Sequence, residues 1–157
     1  MKVRLLLISK TEEEFLKSGI REYESRVNRY LSFDIVELPT PKNSAALSQD
    51  ELKKRESELI IRQIQQGDCV ILLDERRKEM RSIEFSVFLN KQFISGYKRI
   101  LFVVGGPFGF DLSLKKQASH ILSLSKMTFS HQMVRLFFIE QLYRALTILR
   151  GESYHHE

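Results

Sequence analysis

The stretch from residue 122 to residue 150, LSLSKMTFSHQMVRLFFIEQLYRALTILR, constrains the fold more than any other part of the chain. It begins as a short apolar strand, crosses a small polar segment at residues 125–130 and becomes a long helix. Val134, Phe137, Phe138, Leu142, Ala145 and Leu149 recur at three- and four-residue spacing, the signature of an amphipathic helix. Leu136, Ile139 and Tyr143 are bulky too, but fall on its flank or back. A helix apolar on nearly every side has to be buried on nearly every side. In a chain of 157 residues, that predicts one face on its own sheet and another on a second subunit. The polar segment before it is then a backbone-rich crevice between a strand end and a fixed helix.

The rest of the chain alternates strands with helices. Residues 2–8 read as a buried strand, and Thr11 with Glu14 resembles a capping box opening a helix to about residue 30. Ile20, Tyr23, Val27 and Tyr30 mark its inner face. Residues 33–38 form a second strand, ended by Pro39 and Pro41. Ser48 with Glu51 repeats the capping pattern, for a helix running to Gln66 with Gly67 as its stop. Leu52, Leu59, Ile60 and Ile64 face inward there, while Lys53, Lys54, Arg55, Glu56 and Glu58 read as a solvated face. Residues 68–73 form a third strand, whose unbroken apolar run suits a parallel strand covered on both faces. Ser82 is expected to cap a helix carrying Phe85, Phe88, Leu89 and Phe93, closed by Gly96. A strand at 100–104 runs into Gly105-Gly-Pro-Phe-Gly109, and a short helix at 113–119 precedes a last strand at 121–124. The result is one α/β domain over residues 1–157 with a mainly parallel sheet.

Several chemistries lack their residues. There is no G-x-G-x-x-G fingerprint, no phosphate-binding P-loop and no G-x-S-x-G elbow. The four histidines and the lone Cys69 show no metal-ligand spacing, so no metal is expected. Cys69 sits in an apolar run and reads as a buried thiol in a reducing, cytoplasmic setting. The N-terminal apolar run is too short for a signal-peptide core or a membrane span. A net charge of +5 points mildly to a polyanion, with RNA favoured. In an open parallel sheet a ligand sits beyond the carboxyl ends of the strands, which draws notice to Leu73-Asp74, Gly105-Gly106 and residues 125–129. Residue pattern alone leads to a compact ligand in a backbone-lined pocket.

At GGPFG, LSLSKMTFSHQMVR, IEQLYRA and the terminal Tyr154-His155, the chain resembles the RlmH-type ribosomal RNA methyltransferases of the SPOUT class, from end to end. The resemblance implies an α/β fold with a C-terminal trefoil knot, a feature that ordinary topology rules would not offer. It implies S-adenosylmethionine as cofactor and N3 of a pseudouridine in large-subunit ribosomal RNA as the methyl acceptor. Leu73, Gly105, Leu124, Ser125, Lys126, Met127, Thr128 and Phe129 match the family's cofactor contacts. His155, Tyr154, Arg144 and Glu140 are the implied catalytic group, although Glu140 and Arg144 also have the spacing of a simple helical ion pair.

A homodimer is expected to build each site, one chain supplying the knot and the other its tail. Arg4, Arg76, Arg77, Lys78, Arg81 and Arg135 are candidates for RNA phosphate contacts. The chain departs from the family pattern at Arg77, Phe108, Ser130 and His156; Ser130 stands where proline is common and is expected to loosen that corner. Two other readings share these residues: a SPOUT enzyme for another RNA such as transfer RNA, and a non-catalytic ribosome-associated RNA-binding protein.

Overall fold

The computed structural model describes residues 1–156. Five strands, β1 (Lys2–Ile8), β2 (Ser32–Leu38), β3 (Asp68–Leu73), β4 (Arg99–Val104) and β5 (His120–Leu122), form one sheet in the order β2-β1-β4-β3-β5. Every pairing is parallel. Parallel neighbours require crossovers, and four helices lie in them: α1 (Glu14–Val27), α2 (Gln49–Ile61), α3 (Ser82–Ile94) and α4 (Leu112–Gln117); α5 (Met133–Leu149) follows the last strand.

Side chains alternate across a strand, so each strand serves two cores. Val3, Leu5 and Leu7 join Phe102, Phe138, Ile139 and Leu142 on the face covered by α1, α3 and α5. Leu6, Ile8, Leu72 and Val103 join Ile60, Phe110 and Leu114 on the face covered by α2 and α4. β4 is buried along its whole length, as the central strand of a doubly covered sheet must be.

The structure moves several expected boundaries. Thr11 and Glu14 form no capping box: Glu13 precedes α1 without a side-chain cap, and the Thr11 hydroxyl instead accepts from the Arg135 guanidinium at 3.0 Å. Water can satisfy an exposed helix end, whereas a buried cation needs protein acceptors, so the hydroxyl serves Arg135. α2 ends at Ile61, not Gln66, because Arg99 pairs with Asp68 and takes the Gln63 carbonyl at 3.0 Å, drawing residues 62–67 into a turn. Gly67 closes that turn with φ +96°. Arg81 stands at the α3 cap position, with the Glu84 carboxylate accepting from its N–H at 2.8 Å; the Ser82 hydroxyl donates to Gln141 on α5.

The buried stripe of α5 is rotated from the expected one. Arg135, Phe138, Ile139, Leu142, Ala145 and Leu146 are buried, while Phe137 and Leu149 are exposed by 42% and 37%. Arg135 is fully buried and cannot meet RNA phosphates. Its guanidinium donates to the carbonyls of Ile8 and Ser9 at 2.7 and 3.0 Å and, through Nε, to His131 O at 3.0 Å. It thereby ties the end of β1 to the start of α5. Arg4, another phosphate candidate, is held bidentately by Asp34 at 2.7 Å on both arms. Arg76, Arg77, Lys78 and Arg81 are exposed.

Candidate functional site

A cleft of about 360 Å³ opens where β3, β4 and β5 end, large enough for a cofactor-sized molecule. Three segments wall it: the residues after β3, the glycine turn after β4, and the polar run before α5.

The glycine turn is shaped by crowding. A Cβ on Gly105 would lie 2.9 Å from the Phe110 ring, which is buried beneath the turn. Gly109 has φ +81° and its N–H returns to Gly106 O at 3.2 Å, closing the loop. Asp111 then caps α4, accepting from Ser113 N–H at 3.3 Å, and the Ser113 hydroxyl bond lowers its carboxyl pKa.

The polar run is held by its own hydroxyls. Ser123, almost wholly buried, donates to the Ser125 carbonyl at 2.7 Å and lies 3.2 Å from Glu75 O. Ser125 Oγ accepts from Met127 N–H at 3.0 Å. The segment also passes close against the 74–79 loop: Asp74 N–H donates to Leu122 O at 2.8 Å and Ser123 N–H to Lys78 O at 3.0 Å. Ser130 tightens its corner rather than loosening it, because its hydroxyl accepts from Met133 N–H at 3.0 Å, a bond that proline has no side-chain oxygen to make.

Of the residues matched to cofactor contacts, Leu73, Gly105, Leu124, Ser125, Met127, Thr128 and Phe129 line this cleft. Lys126 does not; its side chain is exposed and pairs with Glu79 at 3.6 Å. Phe108 lines the opening. The walls are apolar at Leu73, Val104, Leu124 and Val134, acidic at Asp74 and Glu75, and cationic at Lys53, Arg76 and Lys115. Burial, then the nearby Arg135 charge, lowers the His131 pKa, so the neutral imidazole is favoured at the rim.

The four residues of the implied catalytic group come together elsewhere. Glu140 Oε1 accepts from the Arg144 guanidinium at 2.5 Å and from the Tyr154 hydroxyl at 2.9 Å, and Oε2 accepts from Gln141 at 2.9 Å. Arg144 also lies 4.7 Å from the Tyr154 ring centroid and 3.3 Å from His155 Nδ1. Arginine can only donate, so Nδ1 accepts and the imidazole proton is assigned to Nε2. Burial, with hydrogen bonds to Tyr23 and Glu140, raises the Tyr154 pKa and keeps the phenol protonated. None of the four lines the cleft.

Sequence reasoning missed four participants. Glu56 was expected in solvent, yet it is 4% exposed and its carboxylate accepts from Gly106 N–H at 3.2 Å. Tyr23, read as inner-face packing, places its hydroxyl 3.2 Å from that of Tyr154. His131 and Val134 line the cleft from the start of α5. No local motif marks Glu56; its only signal is a carboxylate four residues before Ile60 on the packed side of α2.

The family model for predicted SPOUT methyltransferases matches residues 1–155. The chain belongs to the SPOUT methyltransferase family. Similarity to curated relatives runs end to end. The chain is 49% identical over 157 residues to the ribosomal RNA large subunit methyltransferase H of Parabacteroides distasonis, covering 100% of both chains. It is 46% identical over the same span to the protein of that name from Bacteroides thetaiotaomicron, again with 100% coverage of both. Among solved structures, a probable methylase family protein from Haemophilus influenzae Rd KW20 superposes with a TM-score of 0.53 at 12% identity. That match covers 99% of this chain and 70% of the other, and is a likeness of fold. Among the described residues no helix is long and apolar enough to cross a membrane, and no cluster of three or more His, Cys, Asp or Glu has metal-holding geometry.

Proposed function

We infer that this SPOUT protein methylates large-subunit ribosomal RNA, taking the methyl group from S-adenosylmethionine and placing it on N3 of a pseudouridine. The observation that carries the reading is end-to-end identity of 49% with a relative named as a large-subunit ribosomal RNA methyltransferase. The cleft supports the cofactor. Its apolar walls suit an adenosyl group, and of its charged lining residues Asp74 and Glu75 suit the sulfonium while Lys53 and Lys115 suit the carboxylate of the donor's methionine portion.

S-adenosylmethionine supplies an already activated methyl group, so the protein's work is orientation and removal of the acceptor's proton. N3 of pseudouridine is an imide that must lose its proton as the methyl arrives. In this reading His155 and Tyr154 orient the base, and the Arg144 cation favours the anionic imide, easing proton loss to solvent. Glu140 positions Arg144 and Tyr154 through the bonds to its Oε1.

The separation of cleft and tail within one chain supports a homodimer in which each tail reaches its partner's cleft. Exposed apolar side chains favour such a seam: Phe15 is 62% exposed, Phe137 42% and Met127 75%, with the Phe137 and Phe129 rings 5.0 Å apart. The close passage of Leu122 and Ser123 along the 74–79 loop supports the knotted crossing that the family resemblance implies. Exposed Arg76, Arg77 and Lys78 beside the cleft suit RNA phosphates in a cytoplasmic enzyme.

Methylation assays on assembled ribosomes, free large subunits and transfer RNA test the substrate. Methyl transfer to ribosomal particles is expected; activity confined to transfer RNA would overturn the ribosomal reading. Mass spectrometry of ribosomal RNA from a strain lacking the protein should show one pseudouridine without its N3 methyl.

A further inference from the structure

Two adjacent polar residues on α2 are buried where their neighbours Arg55 and Glu58 are exposed: Glu56 is 4% exposed and Ser57 0%. Each takes one end of the glycine turn. Glu56 Oε2 accepts from Gly106 N–H at 3.2 Å, and Ser57 Oγ accepts from Asp111 N–H at 3.0 Å. α2 therefore clips the loop that forms one wall of the cleft.

Gly106 is cut to fit this clip. Its φ lies outside the left-handed region, so the backbone alone does not call for glycine. Space does. A Cβ there would lie 2.3 Å from Glu56 Oε2 and 2.7 Å from Oε1. A buried carboxylate is costly to hold, and an apolar side chain of the same volume would pack at lower cost. Burial raises the Glu56 pKa while the Gly106 N–H opposes that shift. The peptide joining Gly105 to Gly106 is trans, so pointing its N–H at Glu56 turns the Gly105 carbonyl the opposite way, away from α2.

We propose that Glu56 is a positioning residue for the methyl donor: by holding the Gly106 amide it fixes the Gly105 peptide in the orientation that the cofactor meets, while Ser57 anchors the far end of the loop. This rests on the assignment of the cleft to S-adenosylmethionine. The clip acts on cofactor affinity and leaves the methyl-transfer step itself alone.

The test uses the full-length protein with S-adenosylmethionine as the titrant in calorimetry, beside a thermal melt of each variant. Glu56→Met keeps volume but loses the acceptor; it is expected to weaken cofactor binding about tenfold, the scale of one hydrogen bond to a charged group. Glu56→Gln keeps an acceptor and should return affinity to within about threefold, because a carbonyl oxygen can still take the Gly106 N–H. In both, kcat at saturating cofactor should stay within about twofold, as expected when binding alone is lost. Gly106→Ala, which displaces the carboxylate from the other side, should weaken binding like Glu56→Met and carries the test should that variant not fold. Equal losses in the Met and Gln variants, or wild-type affinity in a folded Glu56→Met or Gly106→Ala protein, would overturn the clip. Failure of the wild-type protein to bind S-adenosylmethionine would instead remove the cofactor assignment, and the clip with it.

Discussion

The cleft and the tail cluster are built in opposite ways. The cleft is shaped largely by backbone: a crowded glycine turn on one side and a run folded by its own serine hydroxyls on the other. The tail cluster is made of side chains, with Glu140 gathering Arg144 and Gln141 from its own helix and Tyr154 from the tail, and Tyr23 joining from α1. A backbone-built pocket binds through shape and loses function when the chain is bent. A side-chain cluster presents charge and loses function when one donor is removed. The two should fail separately, the first in cofactor affinity and the second in turnover.

The sharpest way to break that division is to remove the tail. Truncation after Ser153 deletes Tyr154 and His155, and is expected to cut turnover by at least about 10³-fold, within the range for lost orientation and proton handling. Cofactor affinity by calorimetry should hold within about twofold, since neither residue lines the cleft of its own chain and the tail is assigned to the methyl acceptor at its partner's. A large loss of affinity would merge the two regions. Mixing this truncation with a chain carrying a crippled cleft should restore activity at one site per mixed dimer; no recovery would mean that tail and cleft act within one chain.

Arg144→Lys keeps the charge but loses the planar fork that binds Glu140 and His155 together. Turnover should fall about 10- to 100-fold, a loss of one positioned donor, with cofactor affinity unchanged. Equal turnover in the lysine variant would mean that charge alone suffices.

On the cleft side, Gly105→Ala puts a methyl group 2.9 Å from the Phe110 ring and must shift turn or ring. The expected loss is about tenfold in cofactor affinity, of the order of a modest overpacking penalty, with kcat recovered at saturating cofactor. A fall in kcat without a change in affinity would place Gly105 with the tail instead.

The same contrast decides what could be read from the chain. The parallel sheet was legible because continuous apolar runs such as CVILL need no partner to reveal burial on both faces. The cleft was legible through its local strings, the double glycine and SKMTF, which carry short-range turns such as Gly109 N–H on Gly106 O and Met127 N–H on Ser125. What escaped was each polar residue whose partner lies far along the chain. Glu56 looked like solvent-facing charge because Gly106 is 50 residues away. Arg135 looked like an RNA contact because its acceptors, Ile8, Ser9 and Thr11, lie more than a hundred residues upstream. Periodicity describes which way an element is greasy, and it carries no signal for a charge recruited inward by carbonyls at a distant strand end. The rotated face of α5 has the same origin, since that buried guanidinium turns Phe137 outward.

The smallest expected effect concerns pH, and it too separates the regions. His131, at the cleft rim, has its pKa pushed below the ordinary value of 6.5 by burial and by Arg135. Protonation then favours the unfolded chain, so its contribution is complete above pH 6.5 and is lost as pH falls from there through the lowered value. Tyr154 is shifted the other way, above 10.0, chiefly by burial. Its contribution is complete below pH 10 and is lost as pH rises through the raised value. Melting curves of the wild type, His131→Gln and Tyr154→Phe across both windows test the pair of signs. The wild type should lose stability relative to His131→Gln only on the acid side, and relative to Tyr154→Phe only on the alkaline side. Parallel curves in the acid window would mean that the cleft rim holds a solvated imidazole, and that the electrostatic difference between cleft and tail lies in the tail alone.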